Sequence, residues 1–150
     1  MYRLYYLVIL LIFIPFSAFA DTSENCLLLN KISDDKKLNK INYDLLDFSN
    51  CNLIGMNLNE LNLKNINFSD SNLSGSYFYG SDLENADFTN AILYGTNFEA
   101  ANLENADFTN AKLDGSTFRD SNLENADFTN AKLKNSNLYK SNLINTNFTN

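Results

Sequence analysis

From Phe48 to Phe148 every fifth residue is Leu or Phe, and none of the 21 positions breaks the rule. Two places before each stands a second small or apolar residue, as in Ala86, Ala91, Ala101, Ala106, Ala126 and Ala131, with Ser, Thr, Cys51, Met56, Leu61 or Ile66 elsewhere. The unit reads in-out-in-out-out. A straight strand would send successive Leu and Phe to alternate faces, and a helix would spread them around its circumference. The chain must therefore bend every five residues.

Three extended residues with both ends pointing inward, followed by a two-residue corner, satisfy this pattern if all corners turn the same way. That makes a coil. A second period sets its size: Asn85, Asn105, Asn125 and Asn145 recur at intervals of 20, as do Phe88, Phe108, Phe128 and Phe148, and Gly95 and Gly115. Four pentapeptides close one turn. Stacking then puts Phe48, Phe68, Phe88, Phe108, Phe128 and Phe148 in one column and Leu53, Leu73, Leu93, Leu113 and Leu133 in another.

Segments such as "ANLENADFTNAKL" and "SNLENADFTNAKL" resemble the pentapeptide repeat family, whose pattern is A(D/N)LXX, and the likeness covers residues 46–150. It implies an all-β chain, a right-handed four-sided parallel β-helix of about five coils. The handedness comes from the resemblance alone. The first coil departs from the pattern, with Leu46, Cys51, Met56, Leu61 and Ile66 in place of the small inward residue, and is expected to be wider or irregular. Ile92, Lys112 and Lys132 replace the usual Asp or Asn.

Residues 1–20 differ sharply from the rest: Arg3, an apolar run to Phe16, then Ser17 and the small-x-small ending Ala18-Phe19-Ala20. This reads as a secretory signal peptide cleaved before Asp21, an uncleaved anchor being the alternative. The run is shorter than the ~20 residues of a spanning helix. The mature chain would be periplasmic or extracellular, with no membrane insertion after cleavage and no nucleic acid as partner. It would carry 18 acids against 10 bases, a net charge of −8.

Residues 21–45 escape the five-residue rule. Thr22 or Ser23 as N-cap before "ENCLLLNKI" predicts a short helix, and the polar stretch after it, with Lys36, Lys37 and Lys40, predicts a loop. The end of a β-helix needs cover for its strand edges and core. Leu27, Leu28, Leu29 and Ile32 are the expected lid. Cys26 in this capping segment and Cys51 in the first coil belong to the same end, and an oxidising compartment predicts a disulfide between them, two separate thiols being the alternative.

The repeated "LENADF" sets Glu84, Asp87, Glu104, Asp107, Glu124 and Asp127 at matching places in three coils. Such a stripe suits a cationic partner or a weak divalent-cation site, whereas simple duplication of a cassette explains it without any ligand. Tyr77, Tyr79 and Tyr139 are expected to point outward and could anchor an interface, although scattered Tyr on a β surface also needs no explanation. The Asn column 85, 105, 125 and 145 is expected to bond from coil to coil. No His occurs anywhere, and no nucleophile motif, phosphate loop or Cys/His metal spacing is present. The chain is therefore read as a non-enzyme without cofactor: an exported scaffold or protein-binding module. The resemblance also brings in acidic DNA mimics that bind DNA gyrase, a reading that export argues against. Because the repeats run on to "SNLINTNFTN", Leu143 and Phe148 are expected to face an open end, covered by a second copy in a homodimer or by further chain.

Overall fold

The computed structural model describes Cys26 and residues 47–150. The signal peptide expected at 1–20 and the capping segment at 21–45, Cys26 apart, lie outside the described residues.

A Leu or Phe returns to one interior every five residues only if the chain reverses its curvature sense at no corner. The backbone achieves this with one repeated device. In Phe88–Ala91 the Ala91 N–H donates to the Phe88 carbonyl at 3.0 Å, and Asn90 between them has φ 59°. A four-residue turn with positive φ at its third position has the backbone of type II. Every fifth residue from Asn50 to Asn145 takes this conformation; 15 are not Gly, and Asn supplies ten of those. Asn is the side chain that best tolerates the left-handed region.

Each pentapeptide contributes one wall to a four-sided coil, and each wall pairs with itself one coil on. All isolated bridges are parallel and join residues 20 apart, such as Asp87 with Asp107, Ile92 with Lys112, Asn97 with Thr117 and Asn102 with Asn122. The first wall carries the bridging residues 47, 67, 87, 107, 127 and 147, and the second carries 52, 72, 92, 112 and 132. The third carries 57, 77, 97, 117 and 137, and the fourth 62, 82, 102, 122 and 142. Three backbone bonds per wall lock neighbouring coils: Phe88 N–H to Asp107 O, Asn90 N–H to Thr109 O, and Asp107 N–H to Ala86 O, at 2.8 to 3.0 Å. The result is a four-sided parallel β-helix.

The interior follows the in-out-in-out-out reading. Every Leu or Phe of the five-residue series from Phe48 to Phe128 is at most 1% exposed. Two Phe columns stand in this core, where the sequence pointed to one. Phe78, Phe98 and Phe118 of the third wall stack 5.0 to 5.1 Å apart. They meet Phe88, Phe108 and Phe128 of the first wall edge to face, with centroids 5.5 to 6.0 Å apart. Each ring is thus stacked along the axis and edge-on across it, the two geometries that the aromatic quadrupole favours, each worth about 0.5–1.5 kcal/mol beyond burial. Buried hydroxyls close their own accounts: Ser76 Oγ donates to Leu53 O at 2.9 Å and Ser116 Oγ to Leu113 O at 2.7 Å. Among the described residues no buried side-chain polar atom lacks a partner, as a packed interior requires.

The first coil keeps the same bridges, but its ring stack is looser. Phe48 and Phe68 lie 5.8 Å apart at 27°, against 4.9 Å and 1° for Phe88 and Phe108. Met56, Leu61 and Ile66 fill the room that Ala or Ser leaves in later coils. Cys51 joins this coil to Cys26, which is helical and half-buried against the core; the Cα atoms are 5.5 Å apart and the disulfide closes 25 residues of sequence separation. In the chain-entropy account such a loop contributes about 3 kcal/mol. At the other end Leu143 and Phe148 are 42% and 43% exposed.

Replacing Phe108 with Ala should cost about 3–5 kcal/mol, since the ring has neighbours above, below and across. Outward Thr109→Ala should stay within about 0.5 kcal/mol. Denaturant melts of the two variants check this, and equal midpoints would mean that the Phe stack contributes little.

Candidate functional site

With the core closed and the corners fixed by backbone, chemistry is left to the residues on either side of each inward Leu or Phe. Position by position, the outer walls divide the labour. On the first wall Asp87, Asp107 and Asp127 each accept the N–H of the Thr two residues on at 2.8 Å. Half of the acidic stripe is therefore spent on the turn, because a carboxylate at this place supplies the acceptor that the corner N–H would otherwise lack. The Thr129 hydroxyl, its N–H and the Asn147 amide hold the Asp127 carboxyl below the usual carboxylate range. Charge-assisted acceptance of several donors favours the ionised form.

Glu84, Glu104 and Glu124 project at the corner between the fourth and first walls. Glu84 and Asp82 share Lys64, whose Nζ lies 3.2 Å from Asp82 Oδ2. The hydrogen bond to Glu84, and then that to Asp82, raise the Lys64 ammonium above its usual range. Glu124 Oε2 accepts the Asn142 amide at 3.4 Å. Among the described residues no group of three or more His, Cys, Asp or Glu stands close enough to hold a metal ion.

The coil-to-coil amide ladder runs on the fourth wall. Asn102 Nδ2 donates to Asp82 Oδ1, Asn122 to Asn102 and Asn142 to Asn122, at 2.9 to 3.0 Å. In the column expected from the sequence only the ends bond, Asn85 to Asn65 and Asn145 to Asn125, both at 3.1 Å. Those corner amides are exposed and their φ is already set by the backbone, whereas the fourth-wall amides stand beside the bridge itself. Asp82, standing between Asn62 and Asn102, interrupts this column in the sequence.

Tyr77, Tyr79 and Tyr139 project from the third wall, 50%, 46% and 59% exposed. Tyr139 lies between two cations, with Arg119 Cζ 5.8 Å and Lys140 Nζ 5.4 Å from its ring centre. Arg119 Nε is itself held by Asp120 Oδ2 at 3.0 Å. Tyr77 and Tyr79 flank inward Phe78, so one strand fixes both rings. The structure thus puts the three tyrosines on one wall and the six acids of the repeated stripe on the first wall and the corner before it, while Leu143 and Phe148 belong to the last described coil.

Walls of this kind define a β-solenoid. The chain belongs to the pentapeptide repeat family: a pentapeptide repeat region matches residues 81–150 and a model of eight pentapeptide repeats matches 47–85. Solved members of the family form right-handed four-sided β-helices. A pentapeptide repeat protein from the thylakoid lumen of Arabidopsis thaliana is 31% identical over 63% of this chain and 59% of its own, with a TM-score of 0.48. HetL, involved in heterocyst differentiation regulation in Nostoc, is 21% identical over 65% of this chain and 47% of its own, at 0.47. Rfr23 of Cyanothece is 29% identical over 65% of this chain and 83% of its own, at 0.37. The chain thus spans less than two thirds of the first two relatives. No curated protein matches it significantly.

Proposed function

We propose that this is an exported, non-catalytic scaffold that binds a protein partner through its third wall. The observation that carries the reading is the set of three exposed tyrosines on one hydrogen-bonded wall. Tyr offers a large amphipathic surface with little side-chain entropy to lose, and interfaces are enriched in it. Export is supported by the leader-like residues 1–20 and by the Cys26–Cys51 disulfide, which belongs to an oxidising compartment. An acidic DNA mimic acting on DNA gyrase would have to stay in the cytoplasm. A divalent-cation site at the acidic stripe has to compete with the N–H groups that already occupy Asp87, Asp107 and Asp127.

Affinity capture from the envelope fraction tests the reading, with the tagged chain compared with its Tyr77→Ala/Tyr79→Ala variant. A partner retained by the first and lost at least tenfold by the second is expected. Recovery of the chain in the cytosol with gyrase bound would overturn it.

The exposed Leu143 and Phe148 favour a second copy meeting the last described coil, a homodimer through the C-terminal coils. Light scattering should then show a dimer that Leu143→Glu/Phe148→Glu converts to monomer. A wild-type chain that is monomeric at high concentration contradicts it.

A further inference from the structure

The second and fourth walls lie on opposite sides of the coil and carry opposite, unneutralised charges. Ion pairs among the described residues take up Lys64, Asp82 and Glu84, and Arg119, Glu99 and Asp120. Lys112 and Lys132 on the second wall make none, although they bridge each other in successive coils. Glu104 and Glu124 at the fourth wall's corner make none either. Like charges facing each other one coil apart, about 4.8 Å, are destabilising. A surface with the opposite charge at the same pitch relieves both ladders together.

The second wall also has donors to spare. Elsewhere the N–H after each inward Leu or Phe has a side-chain acceptor, most often an Asp or Asn two residues before it. Lys112 and Lys132 stand where that acceptor belongs and can accept nothing. The N–H groups of Asp114 and Lys134 consequently have no acceptor among the described residues. The adjacent corner at Gly115 has no side chain, and a Cβ built there meets nothing within 4 Å. A carboxylate brought against this wall finds an ammonium and a free N–H in each of two coils. Asp114 is the acid on the same wall, and Lys134 occupies the equivalent position one coil on.

The order of side chains selects the occupant and its direction. Along the second wall half-buried Ile92 stands in the column that Lys112 and Lys132 continue, one coil apart each, with Tyr94, 45% exposed, at the corner beside it. Along the fourth, Ile144, 57% exposed, follows Glu104 and Glu124 in the same column. Read in opposite directions the two series coincide: Ile92 against Ile144, Lys112 against Glu124, Lys132 against Glu104. We propose that the second wall of one copy packs on the fourth wall of another with their axes antiparallel. Both ladders have the spacing of the same β-helix, so they stay in register. The contact is heterologous: each copy keeps a free second or fourth wall, and a half-turn about the wall normal with a translation generates an open series. It uses neither the tyrosines of the third wall nor Leu143 and Phe148, and is independent of the partner and dimer readings.

Sedimentation velocity of the purified chain in about 10 mM and about 500 mM salt tests it, the Debye length falling from about 30 Å to a few ångström. Species beyond the dimer that grow with protein concentration are expected at low salt and lost at high salt. Lys112→Glu/Lys132→Glu and Glu104→Lys/Glu124→Lys should each abolish them, and an equimolar mixture of the two variants should restore them, which also shows that both are folded. Leu143→Glu/Phe148→Glu should leave the salt-sensitive association in place, whatever becomes of the C-terminal contact. No salt-sensitive association of the wild type beyond the dimer, such association surviving the lysine substitutions, or its absence from the mixture would overturn the proposal. So would a wild-type chain that remains unassociated yet binds heparin through Lys112 and Lys132, since the wall would then take a polyanion.

Discussion

A left-handed backbone at every fifth residue is the constraint on which the rest of this molecule depends. An L-residue loses roughly 1–2 kcal/mol there unless it is Gly or, to a lesser degree, Asn or Asp. The chain mostly obeys this preference, and where it does not, the ladder prevails. Glu60, Ala100 and Lys140 hold φ of 58 to 60° at the corner between the third and fourth walls. Glu60 and Ala100 nevertheless donate to the next coil at 2.8 and 2.9 Å, as the favoured corners do. Backbone bonds made at once by four walls outweigh one residue's local preference. Once the corners are set, the walls are flat, the interior is fixed in width, and like side chains must stack on like.

That stacking explains why two residue types suffice for the large positions at the centre of each wall. A width set by backbone admits Phe from two facing walls and Leu from the other two. The rings fill the centre by stacking lengthwise and meeting edge-on across it. The cost is sensitivity to anything larger than Ala, Ser or Thr at the second inward position. In the first coil, Met56 and Ile66 coincide with a Phe stack opened to 5.8 and 5.5 Å. This is also where the disulfide ties the coil to Cys26.

Nearly all of the architecture was legible in the sequence because the period of five allows only one way of keeping Leu and Phe inside. What escaped was hidden by mixed composition or depended on distance. Leu58 and Leu138 bracket Phe78, Phe98 and Phe118, so the second aromatic column does not read as a run. The Asn residues at corners were visible, but their backbone role was not, since a stacked amide and a positive φ leave the same signature. Asp87, Asp107 and Asp127 looked like a free acidic surface; only the 2.8 Å bonds to Thr N–H groups show them engaged. The outer walls were least legible, because the surface of a solenoid is constrained by neither core nor corner and its chemistry emerges from which columns face which way.

The central claim is that a 20-residue register, and not pentapeptide composition, holds the fold together. Two deletions test it most directly. Removing residues 101–120 takes out one whole coil and leaves every wall in line, so the product should still melt cooperatively with a modestly lower Tm. Removing residues 101–105 takes a quarter as much chain but shifts all later residues by one wall, putting Phe108 over Leu83 and breaking both ring stacks. Its Tm should fall further than that of the coil deletion, despite the smaller loss of buried surface. Equal stability of the two products, or a more stable pentapeptide deletion, would show that the columns do not matter and would contradict the account.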